Sequence, residues 1–240
     1  MPQIALADSF VDALAHLEAG DTKRAATFVD KLIEEPTRAG FNFEMVHEAR
    51  DRSIRSARVT KDLRAIAHVD DERVLLLFVG RHDAAYEWAR TKCLECHPVT
   101  GELQVVEAPD GAQVRLAQQD TRSAPSGRDR RRTAVPPSVF AEYSDEYLLS
   151  LGVPPSWLAT IRMIRSDDMF LSVAGDLPAD VAERLLRLME GELVSPPEPV
   201  CDDECTWTTP GARQWICTVT DGSSLCQLLD ETGIAHGLKH

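Results

Sequence analysis

The sequence predicts an α+β fold, because three kinds of pattern follow one another along the chain. Residues 8–35 carry apolar side chains at the spacing of helices. Residues 54–69 alternate apolar and polar side chains as strands do, and Val74–Val79 is a continuous apolar run typical of a strand covered on both faces. Residues 139–192 return to helical spacing. We therefore expect two helices followed by an antiparallel sheet, with a mostly helical C-terminal region.

The two N-terminal helices are predicted as a hairpin. A short strand-like segment, Ile4–Ala7, comes first, and Asp8 or Ser9 then offers a side-chain oxygen for the N-cap. The first helix places three apolar residues on one face: Phe10, Leu14 and Leu17. We expect Gly20 and Asp21 to separate it from a second helix over residues 22–35.

A strand hairpin is expected next, with a turn at Thr60–Asp62 between strands at 54–59 and 63–69. The buried strand Val74–Val79 follows, and a short helix is predicted over residues 84–89 with Asp83 as its cap. Leu103–Val106 fits a last edge strand.

Composition divides the chain into four parts. Residues 1–107 form the α+β domain, and residues 138–194 form a helical domain. Between them, residues 108–137 contain PDG, SAPSG and RDRRR with almost no apolar periodicity, which is typical of a linker. Residues 195–240 form a tail in which Trp215–Val219 is a possible strand and Ser223–Thr232 a possible helix.

The overall charge of the chain is strongly negative. Its 39 acidic and 26 basic residues give a formal net charge of −13, so binding to nucleic acid requires a local basic patch. No apolar run reaches the roughly 18 residues of a membrane helix, and MPQIALADSF lacks the features of a signal peptide. We therefore expect a cytoplasmic protein that does not bind a membrane, with its six cysteines as thiols.

A P-loop nucleotide site, a haem attachment site and a zinc site are each set aside. None of the thirteen glycines is followed by lysine, so the chain has no P-loop and is not a P-loop ATPase. Cys93-Leu94-Glu95-Cys96-His97 matches the haem-attachment pattern, but no export signal accompanies it. A zinc site that adds Cys201 and Cys205 has irregular spacing across a long separation. We expect no metal and no cofactor.

The first candidate for chemistry is a basic cluster between residues 50 and 64. It holds six cations and two acids, a local charge of +4: Arg50, Arg52, Arg55, Arg58, Lys61 and Arg64. A hairpin would bring Arg58 and Arg64 side by side, where two guanidinium groups can bind a phosphodiester through paired hydrogen bonds. The alternative is that these residues are polar only because water contacts the outer face of the strand.

The second candidate is the segment Gly80–Tyr86. His82 follows a buried strand, and a histidine side chain can either donate or accept a proton near neutral pH. Arg81 adds a cation, and Tyr86, one helical turn after His82, has a ring that can stack on a base. The alternative is that His82 makes only local hydrogen bonds and that Tyr86 belongs to the core.

Together, the two helices, the hairpin with D-L-R-A-I and the strand ending V-G-R-H-D-A-A-Y resemble the RelE/ParE toxin superfamily. The resemblance is greatest to the RelE-like region at the N-terminus of actinobacterial UvrD-like helicases, and it extends loosely through S-D-E-Y-L-L-S-L-G-V-P to about residue 195. It implies metal-independent cleavage of RNA, usually on the ribosome. In that chemistry a base deprotonates the 2′-hydroxyl, cations stabilise the phosphorane and an acid protonates the leaving 5′-oxygen.

The resemblance also implies roles for individual residues. Arg64 matches the strand arginine that stabilises the phosphate, His82 the histidine used for proton transfer, and Tyr86 the nearby aromatic residue. A carboxylate base about twenty positions before the arginine points to Glu44, with Glu48 as the weaker fit. We expect Arg55, Arg58, Lys61 and Arg81 to bind the RNA backbone.

The chain also departs from this family, so two functions remain open. Free toxins of the family are small and basic, whereas this chain is acidic and continues for about 150 residues beyond the strand-end motif. The first hypothesis is an RNA-binding or RNA-cleaving module. The second is a non-catalytic accessory module that binds a helicase or an antitoxin-like protein, with residues 139–192 as its contact region.

Overall fold

The computed structural model divides the chain into two compact units, residues 1–93 with 211–240 and residues 94–210, and each is described by itself. The residues that the structure describes are 3–35, 41–70, 73–123, 136–199 and 216–238, with side chains omitted for 120–123.

The chain forms eight strands and nine α-helices within the described residues. In order they are β1 (Gln3–Ala7), α1 (Asp8–Ala15), α2 (Ala19–Glu34), β2 (Phe43–Met45), β3 (Ile54–Arg58), β4 (Leu63–Val69), β5 (Arg73–Arg81), α3 (His82–Thr91), β6 (Lys92–Cys96), β7 (Leu103–Glu107), α4 (Asp110–Ser123), α5 (Asp145–Ser150), α6 (Leu158–Ile161), α7 (Asp167–Ala174), α8 (Ala179–Met189), β8 (Ile216–Val219) and α9 (Gly222–Glu231). The α+β class predicted from sequence is confirmed.

The sheet of the first unit is mixed, with strand order β2-β3-β4-β5-β1-β8. Strands β2 to β5 pair antiparallel in sequence order, and β8 pairs antiparallel with β1. Strand β1, however, runs parallel to β5, with Ile4 opposite Val74 and Leu6 opposite Leu76. The expectation of a wholly antiparallel sheet is therefore wrong. Alternation within a strand sets which side chains are buried, but it carries no information about the direction of a partner about 70 residues away.

The core of the first unit lies on one face of this sheet, under α1, α2 and α9. Buried apolar side chains from the sheet and the helices meet there: Ile4, Leu6, Phe10, Leu14, Val29, Leu32, Leu76, Leu225 and Leu229. Helix α3 covers part of the other face, where the ring of Trp88 stacks on that of Phe78 with centroids 5.8 Å apart. The apolar run of β5 is buried because it lies between β4 and β1 and has helices on both faces.

The C-terminal strand and helix complete this unit. Strand β8 pairs with β1, and Asp221 and Ser224 form a capping box that begins α9. The predicted strand and helix of the tail are both present. Their position at the edge of the N-terminal sheet gives the first unit a different extent from the predicted domain of residues 1–107.

The second unit combines a two-stranded sheet, β6-β7, with helices α4 to α8. Helix α4 occupies part of the segment predicted as a linker, and that expectation is wrong for residues 110–123. Among residues 110–119 of α4, whose side chains are described, only Ala112 and Leu116 are fully buried, and two apolar residues make too short a stripe to stand out in a polar sequence. Strand β7 pairs with β6, so Leu103–Val106 is not an edge strand of the main sheet.

The cysteine motif has a structural explanation in the second unit. The Nε2 of His97 lies 2.9 Å from the carbonyl of Val153, and its Nδ1 accepts the N–H groups of Val99 and Thr100. Both ring nitrogens are therefore used in hydrogen bonds. Within the described residues no group of three or more histidine, cysteine, aspartate or glutamate side chains is placed so that it could hold one metal ion, and Cys201 and Cys205 lie outside them.

None of the helices in the described ranges is both long and apolar enough to cross a membrane.

The stability of the first unit is expected to fall on acidification because of His68 in β4. Burial lowers the pKa of His68 from its ordinary value of 6.5. The carboxylates of Asp51 and Asp70 oppose that shift, and the guanidinium groups of Arg73 and Arg55 add to it. Its Nδ1 is buried without a hydrogen-bond partner in the described structure. Between the lowered folded pKa and 6.5 the unfolded chain binds more protons than the folded one, so the free energy of unfolding falls as the pH drops through this window.

We expect urea unfolding monitored from pH 7 to pH 5 to show this loss for the wild type and a flatter profile for His68→Gln. Equal pH slopes for the two proteins would show that His68 is not the group responsible.

Candidate functional site

A groove between β2 and α3 brings together three of the residues predicted from the sequence and also Glu48, the alternative to Glu44. Its volume is about 780 Å³, and Glu44, His82 and Tyr86 all line it. The remaining lining residues are Met45, His47, Glu48, Asp83, Glu87 and Arg90. Glu44 and His82 are 38 positions apart in sequence, so the fold itself creates this proximity.

A continuous series of contacts joins the two walls of the groove. Glu44 in β2 lies opposite Ser56 in β3, and the Ser56 hydroxyl is 3.5 Å from the hydroxyl of Tyr86. The ring of Tyr86 in turn stacks on the imidazole of His82, with centroids 4.4 Å apart and planes 20° apart. His82 covers one face of the Tyr86 ring. An incoming base can therefore stack more readily on the ring of His82, whose side chain is 53% exposed.

The orientation of His82 suits proton transfer. Its Nδ1 lies 3.0 Å from Oδ1 of Asp83, and a carboxylate only accepts hydrogen bonds, so Nδ1 carries the proton in this contact. Nε2 then remains as the nitrogen that exchanges a proton with a ligand. The backbone N–H of His82 donates to the carbonyl of Asp62 (2.9 Å), which ties the start of α3 to the β3–β4 turn.

Arg64 lies beside the groove rather than in its lining. It is opposite Gly80 in the register, two positions before His82, and opposite Arg58 on the other strand. Both guanidinium groups turn to the same acceptor, since Arg58 Nε and an Arg64 terminal nitrogen lie 3.2 and 3.1 Å from the Thr60 carbonyl. The predicted side-by-side placement of Arg58 and Arg64 is thus observed, and two like charges meet at one turn.

The other predicted binding residues are dispersed. Arg55 alternates with Ser56 and lies on the opposite face from it, with its guanidinium directed to the carbonyl of Arg52 (2.6 Å). Arg81 is 3.8 Å from Glu18 and lines a different groove. Lys61 is exposed at the turn. The basic cluster seen in the sequence therefore does not form one surface, because β3 alternates its side chains between two faces.

The groove itself is rich in carboxylates. Glu44, Glu48, Asp83 and Glu87 line it, and Arg90 forms ion pairs with Glu87 at 2.8 Å and with Glu48 at 3.6 Å. Arg90 was not predicted as a site residue, although its position eight residues after His82 and four after Tyr86 puts all three on one helical face. His47 was not predicted either, because it follows β2 and has no motif around it.

The chain was compared with protein-family models, with curated proteins and with solved structures, and none of them matches.

Proposed function

We propose that the first unit is a metal-independent RNA-cleaving module of the RelE type. The observation that carries this proposal is the convergence of Glu44 and His82 on one groove, beside the paired Arg58 and Arg64. This arrangement supplies a carboxylate, an imidazole and two guanidinium groups, which are the groups that the reaction requires. The resemblance of the strand-end motif to RelE-like sequences supports the same reading.

In the proposed reaction Glu44 accepts the proton of a ribose 2′-hydroxyl, and the 2′-oxygen attacks the adjacent phosphorus. The bond from phosphorus to the 5′-oxygen breaks, and His82, which enters the step as an imidazolium with a proton on each ring nitrogen, donates its Nε2 proton to that oxygen. The products are a 2′,3′-cyclic phosphate and a 5′-hydroxyl. The attacking group is the 2′-oxygen of the RNA itself, so the step uses no water molecule. Arg64, with Arg58, stabilises the charge that develops on the phosphorane.

Replacing His82 by alanine is expected to reduce RNA cleavage by about 10²- to 10⁴-fold, the usual contribution of a general acid or base. The assay uses purified full-length protein with labelled RNA, both free and bound to ribosomes. His16→Ala is the matched control, because His16 is an exposed histidine of the same unit whose Nδ1 contacts only its own helix, at the Asp12 carbonyl. Equal cleavage by the wild type and His82→Ala contradicts the assigned role.

A second candidate function is supported by the charge of the groove. Four carboxylates line it against a single arginine that is already paired, and this balance disfavours a phosphate backbone. A module that retained the fold without the chemistry would bind a helicase or an antitoxin-like partner instead. Wild-type protein that binds a partner protein but neither binds RNA nor produces 2′,3′-cyclic ends would favour this second function over the first.

A further inference from the structure

A second groove of the first unit has the opposite charge. It lies between α2 and the β3–β4 turn and has a volume of about 640 Å³. Its lining residues are Gly20, Lys23, Arg24, Thr27, Phe28, Lys31, Phe41, Arg58, Val59 and Thr60. Of the described residues that line it, four are cations and none is a carboxylate, in a chain whose net charge is −13.

The cations reach the groove from two elements. Lys23 and Lys31, eight positions apart, lie on one exposed face of α2 with Thr27 between them. Arg24 is 63% exposed, and its ion pair with Asp21 at 2.8 Å is a surface contact of the kind that contributes little. Arg58 stands across the groove at the end of β3.

The base of the groove is aromatic. The rings of Phe28 and Phe41 pack edge to face with centroids 5.4 Å apart. Phe41 is partly exposed and so offers an apolar surface beside the cations. A combination of cations that follow a backbone and an aromatic surface that contacts bases is typical of sites for single-stranded nucleic acid.

The groove is also connected to the proposed catalytic residues. Arg58 and Thr60 belong to its wall, and the Thr60 carbonyl is the acceptor shared by Arg58 and Arg64. A polyanion in the groove would therefore lie next to the turn whose Thr60 carbonyl is contacted by Arg64. A phosphate placed there also relieves the repulsion between the two guanidinium groups.

We propose that this groove binds the phosphodiester backbone of single-stranded RNA next to the nucleotide that is cleaved. The proposal rests on the proposed function for the identity of the ligand as RNA, but its binding residues are separate from Glu44 and His82. It also explains how an acidic protein with a carboxylate-rich catalytic groove retains RNA: the phosphates on one side of the reacting bond lie on α2.

The experiment measures binding by fluorescence anisotropy with a labelled 12-nucleotide RNA, in full-length protein that carries His82→Ala to prevent cleavage. Adding Lys23→Gln and Lys31→Gln is expected to weaken binding at least 10-fold and to flatten the salt dependence, because each lost phosphate contact removes one released counterion. The control adds Arg50→Gln and Arg52→Gln, which remove the same charge from exposed residues before the other end of β3.

Equal weakening by the two pairs of substitutions would overturn the proposal, because it would show a general charge effect. The proposal would also be overturned if polyglutamate displaced the labelled RNA as well as unlabelled RNA does, because the ligand would then be an acidic peptide. Selective loss with the lysine pair supports the groove even if the wild type cleaves no RNA, which separates this proposal from the catalytic one. If protein with Lys23→Gln and Lys31→Gln, but with His82 intact, cleaves RNA normally, the groove proposal is contradicted and the catalytic proposal is not.

Discussion

Replacing Leu229 by alanine is expected to lower the free energy of unfolding of the first unit by about 2–5 kcal/mol, the usual cost of removing a buried leucine side chain. Leu229 is fully buried in α9, within the same cluster as Phe28, Val29 and Leu32. A leucine side chain has four carbon atoms and an alanine side chain has one. Because the surrounding core is closely packed and relaxes only in part, the substitution leaves a cavity. The effect is expected in the N-terminal sheet although Leu229 lies more than 200 residues after β1.

Hydrogen exchange is the appropriate measurement because it reports each part of the chain separately. Amides of β1 and α2 are expected to exchange faster in Leu229→Ala under native conditions. Leu171→Ala is the control, since Leu171 is 63% exposed and its loss should change stability by less than about 0.5 kcal/mol. Unchanged protection in β1 and α2 would show that α9 does not stabilise this sheet.

The packing of β8 and α9 in the first unit also determines what a truncated protein can show. A protein ending at residue 107 lacks β8 and α9. It therefore lacks the antiparallel partner of β1 and the buried side chains of Val219, Leu225 and Leu229. Loss of activity in such a fragment would report unfolding. Point substitutions in the full chain are therefore the sound way to examine Glu44 and His82.

The elements that the sequence predicted well are those whose signal is local. The β3–β4 hairpin and the helices within residues 139–192 have periodic patterns, and the buried strand β5 is a continuous apolar run with turn residues beside it. Helix boundaries were less accurate: Gly20 was expected to separate two helices but lies in the first turn of α2, and α3 begins at His82 rather than after Asp83. Near a helix end, burial of the following residues outweighs the propensity of one glycine.

The candidate site was predictable only in part, because only some of its residues are related by a local pattern. The pairing of Arg58 with Arg64 follows from a hairpin, and it was foreseen. The division of the basic cluster between two faces follows from strand register, which places Arg55 away from Arg58. The groove on α2 combines residues from positions 20–31 and 58–60, and no local pattern relates these two segments.

In the second unit, replacing Arg184 by methionine is expected to lower the free energy of unfolding by about 3–5 kcal/mol. Only 7% of the Glu102 side chain is exposed, and its Oε1 lies 3.4 Å from a terminal nitrogen of Arg184. The same guanidinium donates to the Leu151 carbonyl at 2.8 Å and pairs with Asp180 at 2.8 Å. Its removal therefore leaves the buried Glu102 carboxylate without its cation.

A second variant separates this charge effect from the loss of packing. In Arg184→Met with Glu102→Gln the buried charge is absent, so the double variant is expected to recover a large part of the stability that Arg184→Met loses. Urea unfolding, with hydrogen exchange of β7 to assign the transition, measures both proteins. If the double variant is as unstable as the single one, the cost lies in the Leu151 hydrogen bond and in packing around Gly152, whose φ of +89° places its backbone directly against Arg184. Because an unpaired carboxylate in a buried site costs more than one backbone hydrogen bond, we expect the recovery.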